Sequence, residues 1–472
     1  VNLRKNIPID AAIVVLGPKG MDLARRLKKI LPGSNIHGLK GRVVGEDITF
    51  SETINHLAGL FLSGRPIVGV CASGILIRAL ASLLSDKLTE PPVISVAEDG
   101  SSVVPLLGGH HGANRLAKSI SEITGGHACL TTAGDIGLGL ALDDPPEGWH
   151  IGNLKAAKSI TQTLLASKSV SLVVEAGDAS WISQSNASFL SVGINESIYT
   201  SAKVHVTDKK ITNPGLDLIL HPPVLALGVG CERATDPAEL IELVETTLRD
   251  AGLALESVAV VVSIDLKSDE NAVHALARHL KVPARFFAAK KIESEFQRLA
   301  NPSEIVFAEV GCHGVAEGAA LSAVGEDGEL IVEKKKSLRA TCAVAKSVNS
   351  IDPLTIGLAQ GALCIVGIGP GAAAWRTPEV TEALATADEV VGYSLYLDLV
   401  EEVTLSKPRH SSELGREEDR ARTALNLAAK GRRVVLVCSG DAGIYALATL
   451  VFELLDRESN SEWNRVNVSV AP

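Results

Sequence analysis

The chain has 472 residues, which at roughly 150 residues per domain predicts about three domains. With 46% hydrophobic and 21% charged residues it holds enough aliphatic material for several cores, which excludes disorder as the dominant state. Forty-five basic against 55 acidic residues give a formal net charge of -10, which argues against a sequence-independent nucleic-acid binder.

In chain order, the first signal is the apolar run 11–16, preceded by Pro8 and Asp10. It is too short for an export signal and reads as a strand. Residues 13–16 lead into GPKG and the amphipathic MDLARRLKKI, and 67–70 into CASG and ILIRALASLL. Residues 224–228 begin a third such unit, with Asp236 as helix N-cap, Pro237 at N1 and Glu239 at N3. Residues 258–264 precede a helix ending near Leu280; 364–368 enter GPGAAAWRTP and a helix from Pro378; 434–437 enter CSGDAG and IYALATLVFELLD. Strands alternating with helices of this length predict parallel sheets in α/β domains. No apolar run approaches the roughly 18 residues that span a bilayer, so no membrane segment is expected.

Breaks in this rhythm divide the chain. The Pro/Gly-rich stretch DDPPEGWHIGN closes a first α/β domain over 1–150. A middle segment, 151–221, is rich in Ser, Thr and Asn and reads as partly β. A second α/β domain over 222–347, a linker over 348–360 and a last α/β domain over 361–472 follow. Seven cysteines without CxxC spacing argue against a zinc ribbon or a disulfide framework and predict reduced thiols in a cytoplasmic protein.

A glycine turn at the C-terminal end of a parallel strand is where α/β proteins hold ligands, and equally the simplest way to turn the chain. None of these turns has the Gly-Lys-Ser/Thr ending of a phosphate-binding loop, and none is a GxGxxG with a well-placed acid. Two segments are more specific. In EDGSSVVPLLGGHHGANRLAKSI, Glu98, Asp99, His110 and His111 can converge at one strand edge, and carboxylate with imidazole is a usable general-base arrangement near neutral pH. The competing reading is a plain Asp-Gly turn with histidines at a helix start. No third ligand of suitable spacing lies nearby, so a metal is not expected. The second is VCSGDAGIYALATL together with IVGIGPGAAAW, two loops of one sheet whose amides suit a small polar cofactor; Asp441 either binds a hydroxyl or ammonium or forms an Asx-turn.

At these residues the chain resembles known families. GVCASGILIRALASLLSDK, PPVISVAEDGSSVVPLLGGHHGANRLAKSI and CLTTAGD resemble the N-terminal domain of the cobalt-precorrin-5A hydrolase family of cobalamin biosynthesis. ALGVGCERATDPAELIELV, VVSIDLKSDE, GCHGVAEGAALSA and LIVEKKKSLRATCAVAKS resemble its C-terminal domain, so that the likeness spans about residues 10–346. The family's loop reads like GHxGGAN; here GHHGAN is one residue shorter. From about Gly361, VGIGPGAAAWRTPEV, VVGYSLYLDLV and VVLVCSGDAGIYALATLVFELLD resemble precorrin-3B C(17)-methyltransferase, a tetrapyrrole methylase. Ala372 stands where that family usually has an acid after GPG.

The resemblance implies two Rossmann-like lobes with a small middle segment, then the N-terminal α/β domain of a tetrapyrrole methylase. It implies hydrolysis of a δ-lactone with release of acetaldehyde, without a cofactor, and methyl transfer from S-adenosyl-L-methionine. The residues it points to for the lactone step are Glu98 or His110 as base, Asp99 to orient it, His111, and the amides of residues 109–112 for the oxyanion. Arg78, Asn114, Arg115, Arg233 and Lys335 are candidate substrate ligands; an edge strand kept soluble by lysines is the alternative for Lys335. Gly369, Pro370, Gly371, Gly440, Asp441, Ala442, Gly443 and Tyr445 are the cofactor candidates. Precorrin or cobalt-precorrin intermediates are the implied partners; a homo-oligomer is compatible with both families. Residues 361–472 match only the first of the methylase's two domains, so an incomplete methyltransferase without turnover of its own is expected. The alternative function is a hydrolase-like part that binds and delivers corrinoids without catalysis.

Overall fold

The computed structural model describes residues 11–31, 33–86, 89–166, 168–191, 202–372, 375–404, 407–444, 447–458 and 460–472. The first sheet holds β1 (Ala12–Val15), β2 (Asn35–Leu39), β3 (Ile48–Phe50), β4 (Ile67–Val70), β5 (Val93–Val96), β6 (Ser102–Leu107) and β7 (His127–Ala128), in the order β3-β2-β1-β4-β5-β6-β7. All neighbours pair in parallel except β5 and β6, which form an antiparallel hairpin. The uninterrupted apolar β1 follows from coverage of both faces. Ile13 and Val15 enter one core with Leu23 and Leu27 of α1 (Met21–Lys28); Ala12 and Val14 enter another with Leu57 of α2 (Thr53–Leu62) and Leu76 of α3 (Ser73–Leu80). α4 (Ala113–Thr124) closes the first face through Leu116, Ala117 and Ile120.

The middle segment is a sheet in its own right. β8 (His150–Ile151), β9 (Val170–Val174), β10 (Phe189–Ser191), β11 (Lys203–Val206) and β12 (Leu218–His221) lie in the order β10-β9-β11-β12-β8, with only β8 antiparallel to its neighbour. α5 (Leu154–Leu165) packs Ala156, Ala157, Ile160 and Leu164 onto it.

The third sheet, β15-β14-β13-β17-β16, contains β13 (Leu225–Cys231), β14 (Val258–Ile264), β15 (Ala284–Phe287), β16 (Glu329–Lys336) and β17 (Ala340–Lys346), the last antiparallel to both neighbours. The helix Pro237–Asp250 starts on an Asp236 cap, whose Oδ1 accepts from the Ala238 amide at 3.0 Å. Glu239 does not complete a capping box; its Oε1 instead accepts from Ser337 Oγ and the Arg339 amide, pinning the β16–β17 turn to the helix. The fourth sheet is all parallel: β18 (Ala362–Gly367), β19 (Glu389–Tyr393), β20 (Arg409–Ser412), β21 (Arg433–Cys438) and β22 (Asn467–Ala471), ordered β20-β19-β21-β18-β22. Its connection to the third unit is strapped down, since the Arg285 guanidinium donates to the carbonyls of Pro353, Leu354 and Ile356. Among the described residues no helix is long and apolar enough to cross a membrane.

Candidate active site

The β5–β6 hairpin decides where the first set of candidate residues goes. Gly100, at φ +77, turns the chain after Asp99, and Val96 then pairs with Val103 while Val93 pairs with Leu107. Glu98 and Asp99 therefore sit at one edge of the sheet. The turn Gly109–His111 follows β6 at the opposite edge, six strand residues away. At about 3.4 Å per residue that is about 20 Å. The expected convergence of Glu98 and Asp99 with His110 and His111 does not occur, because an antiparallel hairpin carries its ends to the far side of the sheet. Nor does Asp99 orient a base: its Oδ1 accepts from the Ser101 amide and hydroxyl, an Asx-turn that holds the exposed carboxyl below its ordinary pKa. Glu98 is exposed beside Gly17 and Cys71, at the C-terminal ends of β1 and β4; burial first, and the Glu98 charge second, push the Cys71 thiol up to about 11.

The histidine turn opens onto a cleft of about 1100 Å³ between the first and middle sheets. Gly108 makes the corner at φ +74, where a Cβ would sit 2.5 Å from the Pro91 carbonyl oxygen. The floor is apolar, from Pro105, Leu106, Leu107 and Leu140; the far wall is α5, which presents Lys155, Lys158 and Gln162. A second cavity of about 440 Å³, lined by His111, Arg115 and Asp144, adjoins the first and shares Asp143 and Leu154 with it. His111 is exposed at this rim; the His110 side chain, like Tyr445, lies outside the described residues.

Several expected ligands are committed within the protein. Buried Asn114 donates to Thr132 Oγ1 at 3.0 Å and Asp135 Oδ2 at 2.8 Å, tying the CLTTAGD loop to α4. Burial pushes the Asp135 carboxyl up, but bonds from Lys118, Thr132 and Asn114 outweigh it and hold the group below its ordinary pKa. Arg115 pairs with Asp144 at 3.2 Å and donates to the Pro145 carbonyl. Burial raises Asp144 to about 6, with Arg115 pulling the other way. The His111 and Ala113 amides both point to the Gly108 carbonyl, so His111 offers no amide to an oxyanion. Arg233 is held by Asp269 at 2.5 Å and the Leu266 carbonyl in the third unit, away from the cleft. Lys335 is exposed on β16, an edge strand, opposite Cys342. The Arg78 guanidinium folds back over Gly74 at the start of α3. Lys155, Lys158 and Gln162 escaped sequence reasoning; their i, i+3, i+7 spacing opposite the buried Ala157–Ile160–Leu164 stripe is the signal that could have found them.

The second set of candidates does come together. β18 and β21 are neighbours, and the loops that follow them are bridged: Gly369 N donates to Gly440 O at 3.1 Å and Gly440 N to Gly369 O at 3.0 Å. Gly369, Gly371 and Gly440 all have positive φ, which glycine alone adopts without strain. A Cβ on Gly440 would meet nothing within 4 Å, so the loop leaves open space beside its backbone. Pro370 lies between the two glycines of the first loop, and Ala442 is fully buried beneath the second. Asp441 Oδ1 accepts from the Gly443 amide at 2.7 Å, the Asx-turn alternative. This cradle of small residues fits a compact polar cofactor.

Four α/β sheets, a wide cleft between the first two and a paired glycine-loop edge on the last define a chain of successive α/β units. Three family models match it: Cobalamin synthesis G N-terminal over residues 55–135, Cobalamin synthesis G C-terminus over 225–345, and Tetrapyrrole (Corrin/Porphyrin) Methylases over 362–469. The chain is 53% identical over 121 residues to Protein CobE of Sinorhizobium sp, covering 26% of this chain and 79% of that protein. It is 28% identical over 356 residues to the cobalt-precorrin-5A hydrolase of Priestia megaterium, covering 71% and 94% respectively. It is 41% identical over 112 residues to the precorrin-3B C(17)-methyltransferase of Sinorhizobium sp, covering 24% of this chain and 43% of that enzyme. The chain belongs to the cobalamin synthesis G family and carries a tetrapyrrole methylase domain in the same polypeptide. The fusion read from the sequence is borne out, and with it a place in cobalamin biosynthesis.

Proposed function

We propose that the first three units open the δ-lactone of a cobalt-precorrin-5A-like macrocycle and release acetaldehyde, and that the last unit binds S-adenosyl-L-methionine. The observation that carries the first part is the cleft under residues 105–109: an apolar floor for the flat ring, with Lys155 and Lys158 across from it for carboxylate arms. His111 takes a proton from water as its oxygen bonds to the lactone carbonyl carbon; His110, on the same turn, is the alternative. The ring C–O bond then breaks, leaving a carboxylate and a hydroxyl. Removal of that hydroxyl proton breaks the C–C bond to the two-carbon arm, acetaldehyde leaves, and the ring carbon accepts a proton. The α5 lysines stand in for the His111 amide, which the Gly108 carbonyl occupies. Seven free cysteines fit a reducing, cytoplasmic setting.

S-adenosyl-L-methionine supplies an electrophilic methyl group when bound. The chain's part is to hold it: Gly369, Pro370 and Gly371 with Gly440, Asp441, Ala442 and Gly443 form the cradle, and the Asp441–Gly443 turn keeps the second loop in shape. The chain spans less than half of the methyltransferase relative, and cofactor binding is what is proposed for these residues.

Acetaldehyde release from cobalt-precorrin-5A by the full chain tests the lactone reading. His111→Ala should lower kcat by at least about a hundredfold, within the usual range for a general base. Lys155→Glu with Lys158→Glu should raise KM. Unchanged kinetics in both variants would overturn the assignment. The internal commitment of Asn114, Arg115 and the His111 amide favours one second reading, a corrinoid-binding module without hydrolysis; tight macrocycle binding with no acetaldehyde would select it.

A further inference from the structure

A third cavity, of about 1040 Å³, lies between the first and fourth units, far from the histidine turn. One wall is the β2–β3 edge of the first sheet and the turn between α2 and β4, contributing Asn35, Lys40, Thr49 and Arg65. The other is a single face of the helix Pro378–Thr386, at positions 378, 381, 382, 385 and 386, with Arg376 just before it. Arg376 is only 9% exposed, and its Nε donates to Thr381 Oγ1 at 3.2 Å, which fixes the guanidinium against the helix start. Two acids also line the space. Asp47 is withdrawn from it: its side chain is 4% exposed and held by Lys28 Nζ at 2.5 Å and the Ile36 amide at 2.6 Å. Glu382 is exposed on the helix. Behind Arg65, His37 and His56 share a ring-nitrogen bond of 2.9 Å. Burial first, then the Arg65 charge, lowers both, His37 to about 3, so His37 adds no positive charge to this corner near neutral pH.

From this we infer that the cavity is a second macrocycle site, in which Lys40, Arg65 and Arg376 grip the carboxylate side chains of a tetrapyrrole between the hydrolase-like and methylase units. A polar, cation-lined cavity built from both units is where a polyanionic intermediate would be retained in the chain, and hydroxyl and amide neighbours Thr49, Thr381 and Asn35 complete the carboxylate contacts. The inference rests on the corrinoid reading above, and its test separates the two.

The probes are uroporphyrin III, with eight carboxylates, and mesoporphyrin, with two, titrated into the full chain and followed by porphyrin absorbance. Two equivalents of uroporphyrin should bind. Lys40→Glu with Arg65→Glu should weaken one of them at least tenfold, Arg65→Lys should retain it, and Lys155→Glu with Lys158→Glu should remove only the other. If the double reversal fails to fold by circular dichroism, Arg65→Gln provides the same comparison. Unchanged stoichiometry in the Lys40/Arg65 variants overturns the inference. So does equal binding of mesoporphyrin at that site, or its complete displacement by inorganic phosphate at the same concentration. If the parent chain binds only the Lys40/Arg65-dependent equivalent, the cleft reading fails and this cavity stands.

Discussion

Asp144 is a buried carboxyl with one oxygen on Arg115 and the other, Oδ2, without a hydrogen-bond partner among the described residues. Its side chain is 6% exposed, and burial raises it from 3.8 to about 6. The folded state therefore keeps a proton that the unfolded chain releases from about pH 4 upward. Stability from this group is full below that point and falls as pH rises to about 6, by up to about 3 kcal/mol. Asp144→Asn should flatten the melting temperature between pH 4 and 7 relative to the parent; an identical slope in the variant would remove Asp144 as the cause. Residues of this kind are hard to see in a sequence, since DDPPEG announces only a turn. Gly369 and Gly440 were legible because a strand-to-helix turn is local and its glycines report the turn directly. The separation of Glu98 from His110 and His111 was not, since it depends on which end of β6 each residue lies at.

At the scale of elements, one fastening is a helix residue that holds two other segments. Glu317 in the helix Val315–Val324 is 1% exposed and accepts four bonds: Oε2 from the Ala300 and Asn301 amides, Oε1 from Asn301 Nδ2 and the Lys334 amide. Burial pushes its pKa up, yet these donors hold it below the ordinary value. Glu317→Gln would turn an NH₂ toward two donors, losing two bonds and leaving buried groups unsatisfied, at about 2–4 kcal/mol. Chemical denaturation of the parent and variant checks this; a loss under about 0.5 kcal/mol would mean the loop simply relaxes. GVAEGAALSA was recognisable as a family block, but nothing in its spacing says that its glutamate faces four donors. α5 shows the converse. Its buried stripe was present in the sequence, yet Ser and Thr between the apolar positions masked it, and with it the lysines of the cleft wall.

Over the whole molecule, the last sheet has cores of its own, and it is held to the third unit by a short strap and by the Arg465–Asp265 pair at 3.9 Å rather than by a shared interior. The strap is one side chain wide at its centre. Arg285 leaves β15 and donates to three carbonyls of the linker, while the Phe286 and Leu358 backbones pair at 2.8 Å in both directions. The linker was legible as a break in the α/β rhythm, but its attachment was not, because a guanidinium bonding to bare carbonyls leaves no mark in the linker's own residues. Leu354, 66% exposed, is the natural point of proteolytic attack once the strap opens. Charge-assisted bonds of this type contribute about 1.5–3 kcal/mol, so Arg285→Ala should raise the open population, and the rate of cleavage near Leu354, roughly ten- to a hundredfold under conditions where opening is fast relative to cutting. The released fragments should keep their circular dichroism, because each retains its own core. Cleavage at the parental rate would mean that the backbone pair at Phe286 holds the linker without the guanidinium, and unfolding of either fragment would mean that the units depend on each other for stability.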